Sequence, residues 1–260
     1  MQQKSKKIIV GCCGFPVSHK KYFNAFNCIE INITFYQLPG LDIATRWKQE
    51  AKSINKDFKF IIKAWQLITH PPSSFTYRRL KEKIPDNRKK YYGYFQPTDE
   101  VFNAWERTKE FANELGCDKI LFQTPSSFKP NGTNMKNITT FFDSIGNKNK
   151  FTFIWEVRGN WNNNEIKEIC KELNLIHCID PLSPQLNKPV HGKFNYYRIH
   201  GSYEGKRINY NHKLNIYELN KIYNACDKEI NYVMFNNSFM FDDASAFLSD
   251  IVGRSNFVPC

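Results

Sequence analysis

The sequence lacks several features that would place a chain in a class at once. No stretch approaches the roughly 20 apolar residues of a membrane-spanning helix. The N-terminal apolar run, Ile8 to Val10, is too short for a secretory signal peptide. The eight cysteines form no CxxC pair, which favours packing over metal or redox roles, including for the adjacent Cys12 and Cys13. Since 260 residues bury a large core without disulfides, we expect reduced thiols and a cytoplasmic location.

Low-complexity tracts, internal repeats and an HExxH pattern are also absent. Their absence argues against a disordered chain, a repeat protein and a helix-borne zinc site of the metalloprotease type. A hydrophobic content of 41% instead indicates a folded globular protein, with no sign of a membrane partner. The length is typical of a closed α/β barrel built as one domain over residues 1–260.

Acidic residues are comparatively scarce, which leaves a formal net charge of +12. Such an excess is expected for a protein that binds nucleic acid or another anionic partner. A composition bias is the alternative, because the chain has 28 lysines and 28 asparagines but only 9 arginines. The location of the charge must therefore decide between the two explanations.

Eight short β-rich runs recur along the chain. They are "KIIVGCCG", "CIEINI", "FKFIIKAW", "KILFQT", "FTFIWEVR", "LIHCID", "NYYRIH" and "INYVMFNN". Amphipathic helical segments separate most of them; one begins at Thr98 and ends at Gly116. This alternation predicts parallel strands with crossover helices, closed into a TIM-type (β/α)8 barrel. The crossover "PLSPQLNKPVHGKF" between the sixth and seventh strands has three prolines and no helical period, so we expect it to be irregular.

Polar side chains occupy one face at the carboxyl end of most predicted strands. In "CIEINI" the isoleucines share one parity, whereas Glu30 and Asn32 share the other. One parity of a barrel strand faces the helices and the other faces the interior, where the carboxyl-terminal layer forms the site. The inward polar residues are Glu30, Asn32, Lys63, Gln123, Glu156, Arg158, Asp180, Arg198, His200 and Asn236. Their convergence predicts a functional mouth, with satisfied structural polar groups as the alternative.

The predicted mouth balances its own charge. The carboxylates are Glu30, Glu156 and Asp180, and the cations are Lys63, Arg158 and Arg198. Buried charges need partners, and a network of this kind shifts pKa values, which suits acid–base chemistry. The nearby cations also disfavour a divalent ion, so no cofactor is predicted. A divalent metal bound by the carboxylates and His200 is the alternative.

Four further residues lie just past strand ends: Tyr36, His70, Trp161 and Tyr203. Each has a structural alternative, since His70 can hydrogen-bond its own loop and Trp161 can form part of the barrel wall. Many barrels bind phosphate at the start of a late helix. Here Asp242 and Asp243 occupy that start and would disfavour an anion there.

The longest insertion, Pro71 to Pro97, follows the third strand and is predicted to lie over the barrel mouth. It holds seven basic and two acidic residues, so 7 − 2 = +5 of the total +12 falls within it. Its candidate anion or nucleic-acid contacts are Arg78, Arg79, Arg88, Lys89 and Lys90. Interleaved aromatic residues would stack on bases or anchor the loop. A solvated charge run is the alternative reading of this segment.

The ordered motifs "GCCGFP", "IEINITFYQLP", "FKFIIKAWQLITH", "ILFQTPSSF", "WEVRGNW", "YYRIHG" and "FNN" resemble the domain of unknown function 72 (YecE-like) family. The resemblance runs from residue 11 to residue 237 and implies a TIM-type barrel but no reaction. The family's pattern falls on the inward polar residues and on Tyr36, His70 and Trp161. The family often has Gly-Thr-Ser-Gly where this chain has Gly-Cys-Cys-Gly, so no hydroxyl-based role is expected there. The basic loop after the third strand of this chain is not part of the resemblance. The resemblance therefore does not imply nucleic-acid binding.

Three functions follow from these observations as hypotheses. The first is an enzyme that performs acid–base or hydrolytic chemistry on a small anionic substrate, with phosphate-bearing compounds as one candidate class. Its catalytic candidates are Glu30, Lys63, Glu156, Asp180 and His200, and its substrate-binding candidates are Asn32, Tyr36, His70, Gln123, Arg158, Trp161, Arg198 and Asn236. The second is a noncatalytic nucleic-acid binder that uses residues 71–97 and is sensitive to salt. The third is a metal-dependent phosphodiesterase or sugar-isomerase-like barrel.

Overall fold

The computed structural model describes residues 6–146, 151–186 and 188–252. Its strands are β1 (Lys7–Cys12), β2 (Cys28–Ile31), β3 (Lys59–Lys63), β4 (Lys119–Gln123), β5 (Thr152–Glu156), β6 (Ile176–Ile179), β7 (Asn195–Ile199), β8 (Ser202–Glu204), β9 (Arg207–Asn209) and β10 (Ile230–Phe235). Eight of them form a closed barrel in the order β1-β10-β7-β6-β5-β4-β3-β2, while β8 and β9 form an antiparallel hairpin. The predicted eight-stranded barrel is confirmed, and so are all eight predicted strands.

Helices alternate with the barrel strands. They are α1 (His19–Ala25), α2 (Ile33–Tyr36), α3 (Leu41–Ile54), α4 (Gln66–Thr69), α5 (Asp99–Leu115), α6 (Gly132–Gly146), α7 (Asn163–Glu172), α8 (Ile216–Ala225) and α9 (Met240–Val252). The predicted ends of α5 are confirmed: the Thr98 hydroxyl accepts a hydrogen bond from the Val101 amide, and Gly116 stops the helix at φ 77°. This left-handed conformation is one that glycine adopts readily.

The connection from β6 to β7 contains turns and no helix in its described residues, 180–186 and 188–194. The connection returns to β6, where the His177 amide donates a hydrogen bond to the His191 carbonyl at 3.1 Å. The His177 ring Nδ1 also accepts a hydrogen bond from the Val190 amide at 3.2 Å. Prolines cannot donate in a helix, which explains why this crossover lacks one. Asn187, which belongs to the predicted irregular stretch, lies outside the described residues.

The chain divides into two compact units. The first comprises Met1–Glu30, Glu50–Lys59 and Ile176–Cys260, and the second comprises Ile31–Gln49 and Phe60–Leu175. Within the first unit, β10 pairs in parallel with β1 and with β7, and β7 pairs with β6. Within the second, β4 lies between β3 and β5. A single domain over residues 1–260 stays a prediction.

An aromatic core fills the second unit. The rings of Phe122 and Phe142 lie 5.1 Å apart, and those of Phe95 and Phe141 lie 5.3 Å apart. All four side chains are almost fully buried. Aromatic rings at these separations contribute packing energy beyond the area that they bury. This core packs on β4, which contains Phe122, and on β5, where Phe153 lies 5.5 Å from the Phe142 ring.

All seven cysteines in the described part of the chain are buried thiols. Burial raises the pKa of Cys117 and of Cys170 to about 12, so these thiols stay protonated at neutral pH. Their environment matches the prediction that the cysteines serve packing. Cys260 lies outside the described residues. Among residues 6–146, 151–186 and 188–252, no helix combines the length and apolar character needed to cross a membrane.

Candidate functional site

In the first unit, Glu30 of β2 forms hydrogen bonds with two side chains of β7, Tyr196 and Arg198. Its Oε1 atom accepts a hydrogen bond from Arg198 Nε at 3.1 Å and forms an ion pair with Arg198 Nη2 at 2.9 Å, and its Oε2 accepts from the Tyr196 hydroxyl at 2.8 Å. Glu30 is 0% exposed and Arg198 is 1% exposed. Burial, and then the Glu30 charge, raise the pKa of Tyr196 well above its usual value, so it remains a donor. Every oxygen of the Glu30 carboxylate therefore has a partner.

A second carboxylate of this unit, Asp180, follows β6 and fixes His200. Its Oδ2 accepts hydrogen bonds from the His200 backbone amide at 2.9 Å and from the Tyr203 hydroxyl at 2.8 Å. The same oxygen lies 3.0 Å from His200 Nδ1. The other ring nitrogen, Nε2, lies 3.5 Å from Arg198 Nη1. Because a guanidinium only donates, that contact requires the Nε2 lone pair and leaves the ring proton on Nδ1, where it donates to Asp180.

These five residues form what we call the Glu30 cluster: Glu30, Asp180, Tyr196, Arg198 and His200. It carries two carboxylates against one guanidinium, and its residues are at most 6% exposed. Burial, and then the Glu30 charge, also raise the pKa of the neighbouring Cys13 well above its usual value. That thiol is therefore a poor nucleophile. The Glu30 cluster is a buried and connected network of polar side chains.

In the second unit, four residues from the ends of β3, β4 and β5 form a connected chain, which we call the Glu156 cluster. Lys63 Nζ donates to Gln123 Oε1 at 2.8 Å, and Gln123 Nε2 donates to Glu156 Oε2 at 2.8 Å. Arg158 Nη2 donates to Glu156 Oε1 at 2.5 Å. The Gln123 amide thus separates a buried ammonium from a buried carboxylate. The cluster carries two cations against one carboxylate.

The position of Arg158 corrects one sequence expectation. The predicted strand "FTFIWEVR" placed it within the fifth strand, but β5 ends at Glu156. Arg158 lies two residues beyond, where the chain has left the sheet, and its side chain is 27% exposed while that of Glu156 is 5% exposed. Arg158 therefore connects the buried carboxylate to solvent.

Phe35 in α2 supports two members of this region. The Lys63 ammonium lies 3.8 Å from the centre of the Phe35 ring, and the His70 ring meets the same ring edge-on at 4.8 Å. Thr34 fixes the local backbone, because its hydroxyl is 2.7 Å from the Lys63 carbonyl, to which it donates. Burial, and then the Lys63 charge, lower the pKa of His70 to about 3. His70 is consequently neutral at physiological pH.

The low pKa of His70 predicts a pH dependence of stability. The unfolded chain binds a proton on this ring below pH 6.5, whereas the folded chain does so only below about pH 3. Stability therefore falls as the pH falls through this window. We expect the wild type to lose about 2 kcal/mol more unfolding free energy between pH 7 and pH 5 than a His70→Gln variant. Urea unfolding at both pH values measures this difference, and parallel losses would contradict the expectation.

Four further predicted residues are Trp161, Tyr36, Asn32 and Asn236. Trp161 packs on the Phe128 ring at 5.6 Å and donates to the Phe128 carbonyl at 2.7 Å, as a wall residue would. Tyr36 lies under the guanidinium of Arg79, 3.6 Å from its ring centre. Asn32 precedes α2 and is half-buried. The Asn236 backbone amide donates to the Ile199 carbonyl at 2.7 Å.

The first turn of α9 contains a buried and hydrogen-bonded carboxylate, Asp243. Asp243 is 1% exposed and accepts hydrogen bonds from Asn237 Nδ2 at 2.6 Å and from the Leu214 amide at 3.3 Å. A carboxylate in the first turn of a helix disfavours an anion there. Burial raises the pKa of Asp243 above its usual value.

No group of three or more histidine, cysteine, aspartate or glutamate side chains within the described ranges is arranged to hold a metal ion. The carboxylates of both clusters instead face cationic or hydroxyl donors. A divalent-metal enzyme stays a prediction.

Comparison with known proteins identifies the family. The family described as "Protein of unknown function DUF72" matches residues 19–252. The chain belongs to the DUF72 family. A DUF72 family protein from Enterococcus faecalis V583 superimposes with a TM-score of 0.69 at 16% identity, over 97% of this chain and 100% of that one. Another from Thermotoga maritima MSB8 gives a TM-score of 0.64 at 17% identity, over 95% of this chain and 99% of that one.

The fold extends beyond DUF72. A structure of D-psicose 3-epimerase in the presence of D-fructose superimposes with a TM-score of 0.55 at 12% identity, over 95% of this chain and 98% of that one. A search of curated proteins found no match. At these identities the likeness to solved structures shows that the fold is shared, and function must be argued from the residues.

Sequence reasoning missed several residues that build the site of this DUF72 protein. Tyr196 has the same parity as Arg198 and His200 along β7, so the pattern "YYRIH" contained the signal that it faces the interior. Tyr203 was noted only as a residue past the strand. Phe35 and Thr34 gave no signal, because a phenylalanine and a threonine beside an isoleucine-rich strand are typical of core packing.

Proposed function

We propose that this DUF72 protein is an enzyme that performs acid–base chemistry on a small anionic substrate at the Glu156 cluster. The observation that carries the proposal is that one buried carboxylate, Glu156, accepts hydrogen bonds from an amide and from a guanidinium. Both oxygens of Glu156 accept hydrogen bonds, which is the pattern of an ionised carboxylate. Two cations against one carboxylate leave the cluster with positive charge that an anionic substrate group would neutralise.

Glu156 suits the role of general base better than Glu30. Both carboxylates are buried and hydrogen-bonded, but the partners of Glu30, Arg198 and Tyr196, are almost fully buried as well. A general base must come within hydrogen-bond reach of the proton that it removes. Glu156 is linked to the partly exposed Arg158, so a substrate anion bound by that guanidinium would lie beside the carboxylate. We assign Glu30, Asp180 and His200 a positioning role at the strand ends.

The chemistry follows from the donors around Glu156. Arg158 would bind the substrate anion, and Glu156 would remove a proton from the substrate or from a water molecule and later return it. The Lys63 ammonium would stabilise the negative charge that develops, because it is buried and acts in a medium of low dielectric. Gln123 would keep Lys63 and Glu156 apart, so that the two do not neutralise each other directly.

His70 fits the same reaction as a neutral group. With its pKa lowered to about 3, its ring offers a donor and an acceptor without adding positive charge at neutral pH. The epimerase neighbour supports this proposal only in that a barrel of this fold performs chemistry in that protein. The assignment for this chain depends on its own residues.

A substrate screen tests the proposal. Purified protein would be incubated with phosphorylated and carboxylated small molecules, and turnover would be followed by mass spectrometry. For a compound that is turned over, we expect Arg158→Gln to raise KM about 10- to 100-fold, because a charge-assisted hydrogen bond contributes roughly 1.5–3 kcal/mol. The matched control is Arg207→Gln, at an exposed position on β9, which should leave KM unchanged. Turnover of uncharged analogues as efficiently as anions would refute the proposal.

A further inference from the structure

We propose that residues 71–97, the basic segment, present a docking site for single-stranded nucleic acid, built around the exposed pair Phe75 and Arg78. This function is separate from the acid–base chemistry proposed above. Phe75 is 78% exposed, whereas large hydrophobic side chains elsewhere in the segment are buried or half-buried. An aromatic ring in contact with water next to exposed cations is the combination that binds unpaired bases and their phosphates.

The local geometry aligns the ring with a charge. Phe75 and Arg78 belong to a 3-10 helix that spans Phe75–Arg79. Side chains three residues apart eclipse one another in a 3-10 helix, so Phe75 and Arg78 project from the same side. A base stacked on the Phe75 ring would bring its phosphate within reach of the Arg78 guanidinium.

A second 3-10 helix, Asp86–Tyr91, adds the exposed cation Lys90, whose ammonium lies 5.0 Å from the centre of the Tyr91 ring. The third-residue spacing places Lys90 on the same side as Asn87, and both are exposed. Lys81 and Lys83 lie between the two helices and are also exposed. The segment thus presents cations along its length, as a strand of regularly spaced phosphates requires.

Other cations of the segment already contact side chains of the protein itself. Arg79 covers the Tyr36 ring, Arg88 Nη2 lies 2.6 Å from Glu100 Oε1, and Lys89 Nζ lies 2.6 Å from Asp86 Oδ1. Glu100 is 8% exposed, so its pair with Arg88 fastens the segment to α5. These three residues were candidate nucleic-acid contacts, and we assign them to holding the surface in shape.

The backbone of the segment is anchored as well. The amides of Gly93, Tyr94 and Phe95 donate to carbonyls of α4 at 2.9, 3.2 and 2.9 Å. Gly93 has φ 83°, and a Cβ atom there would lie 2.3 Å from the His70 carbonyl oxygen, so only glycine permits this approach. Tyr77 donates to the same oxygen at 2.8 Å. A surface held in this way loses little conformational entropy when a ligand binds.

The observations favour a single strand over a duplex or a lipid surface. Bases in a duplex are already stacked on each other, so an exposed ring gains nothing from them. A membrane-surface segment needs several apolar side chains on one face, and the basic segment exposes one.

Fluorescence anisotropy with labelled single-stranded RNA and DNA oligonucleotides of about 12 nucleotides tests the inference. We expect wild-type binding that weakens as salt is raised. Phe75→Ala should weaken binding about tenfold, as expected for the loss of one stacked base. Arg78→Gln should lower the slope of log affinity against log salt by about 0.7, the value for one phosphate contact in a single strand.

Two controls separate this site from general charge and general aromatic exposure. Tyr217→Ala removes an aromatic ring that is 82% exposed on α8, and Lys167→Gln with Lys171→Gln removes two exposed cations from α7. Both variants should bind as the wild type does. Equal loss in the controls, unchanged binding by Phe75→Ala, no binding at low salt, or equal affinity for a duplex or for phosphatidylserine vesicles would overturn the inference.

Discussion

A Glu156→Gln variant is expected to turn over the anionic substrate roughly 10²- to 10⁴-fold more slowly than the wild type, the usual contribution of a positioned general base. Glutamine has nearly the same shape, and its amide oxygen can still accept from Gln123 or Arg158. The substitution therefore removes the basic oxygen while keeping most of the geometry. KM should change much less than kcat, because binding of the anion is assigned to Arg158.

The control is Glu168→Gln, the same chemical change at an exposed position on α7 in the same unit. It should leave kcat within a factor of two of the wild type. A urea unfolding curve for each variant would show whether Glu156→Gln is folded under assay conditions. A folded Glu156→Gln protein with wild-type kcat would contradict the assignment, and if Glu30→Gln alone abolished turnover while staying folded, the base would be Glu30.

The barrel could be predicted because its strands carry a local signal. The runs "KILFQT" and "NYYRIH" are short, β-rich and bounded by turn residues, and helical periods of three to four turns separate most of the strands. Three helices escaped this reasoning: α1 with seven residues, and α2 and α4 with four each. Elements of this length show too few repeats for a helical period to emerge, and tertiary packing decides their conformation.

The site was predicted in composition but not in connectivity. Strand parity identified the inward residues, because alternate side chains of a strand face opposite sides. Partner choice depends on distances of a few tenths of an ångström, which no pattern encodes. The sequence suggested a balance of three carboxylates and three cations, whereas the Glu30 cluster holds two carboxylates against Arg198 and the Glu156 cluster holds two cations against Glu156.

The basic segment shows the same limit. The number of cations in the segment can be read from the sequence. The pair of Asp86 and Lys89 could also be inferred from it, because the two residues are three positions apart. The Arg88 pair with Glu100 and the Arg79 contact with Tyr36 join distant parts of the sequence. Only coordinates distinguish cations that hold the protein together from those exposed to a ligand.

The largest effect on stability is expected at Arg198. An Arg198→Met variant leaves the Glu30 carboxylate at 0% exposure with the Tyr196 hydroxyl as a remaining donor. Removing one partner of a buried ion pair costs about 3–5 kcal/mol, because the other charge stays buried without compensation. Urea or thermal unfolding of the variant measures this loss.

A double-mutant cycle distinguishes loss of the pair from loss of packing at Arg198. Glu30→Gln combined with Arg198→Met should be more stable than the sum of the single variants predicts, since a neutral amide tolerates the missing guanidinium. The matched control is Arg107→Met, which breaks an ion pair with Glu82 whose side chains are 49% and 41% exposed, and should cost less than about 1 kcal/mol. Because methionine fills similar volume at both positions, the contrast isolates the effect of burial on the charge. Additive single variants, or equal losses at Arg198 and Arg107, would show that the buried pair does not hold β2 against β7.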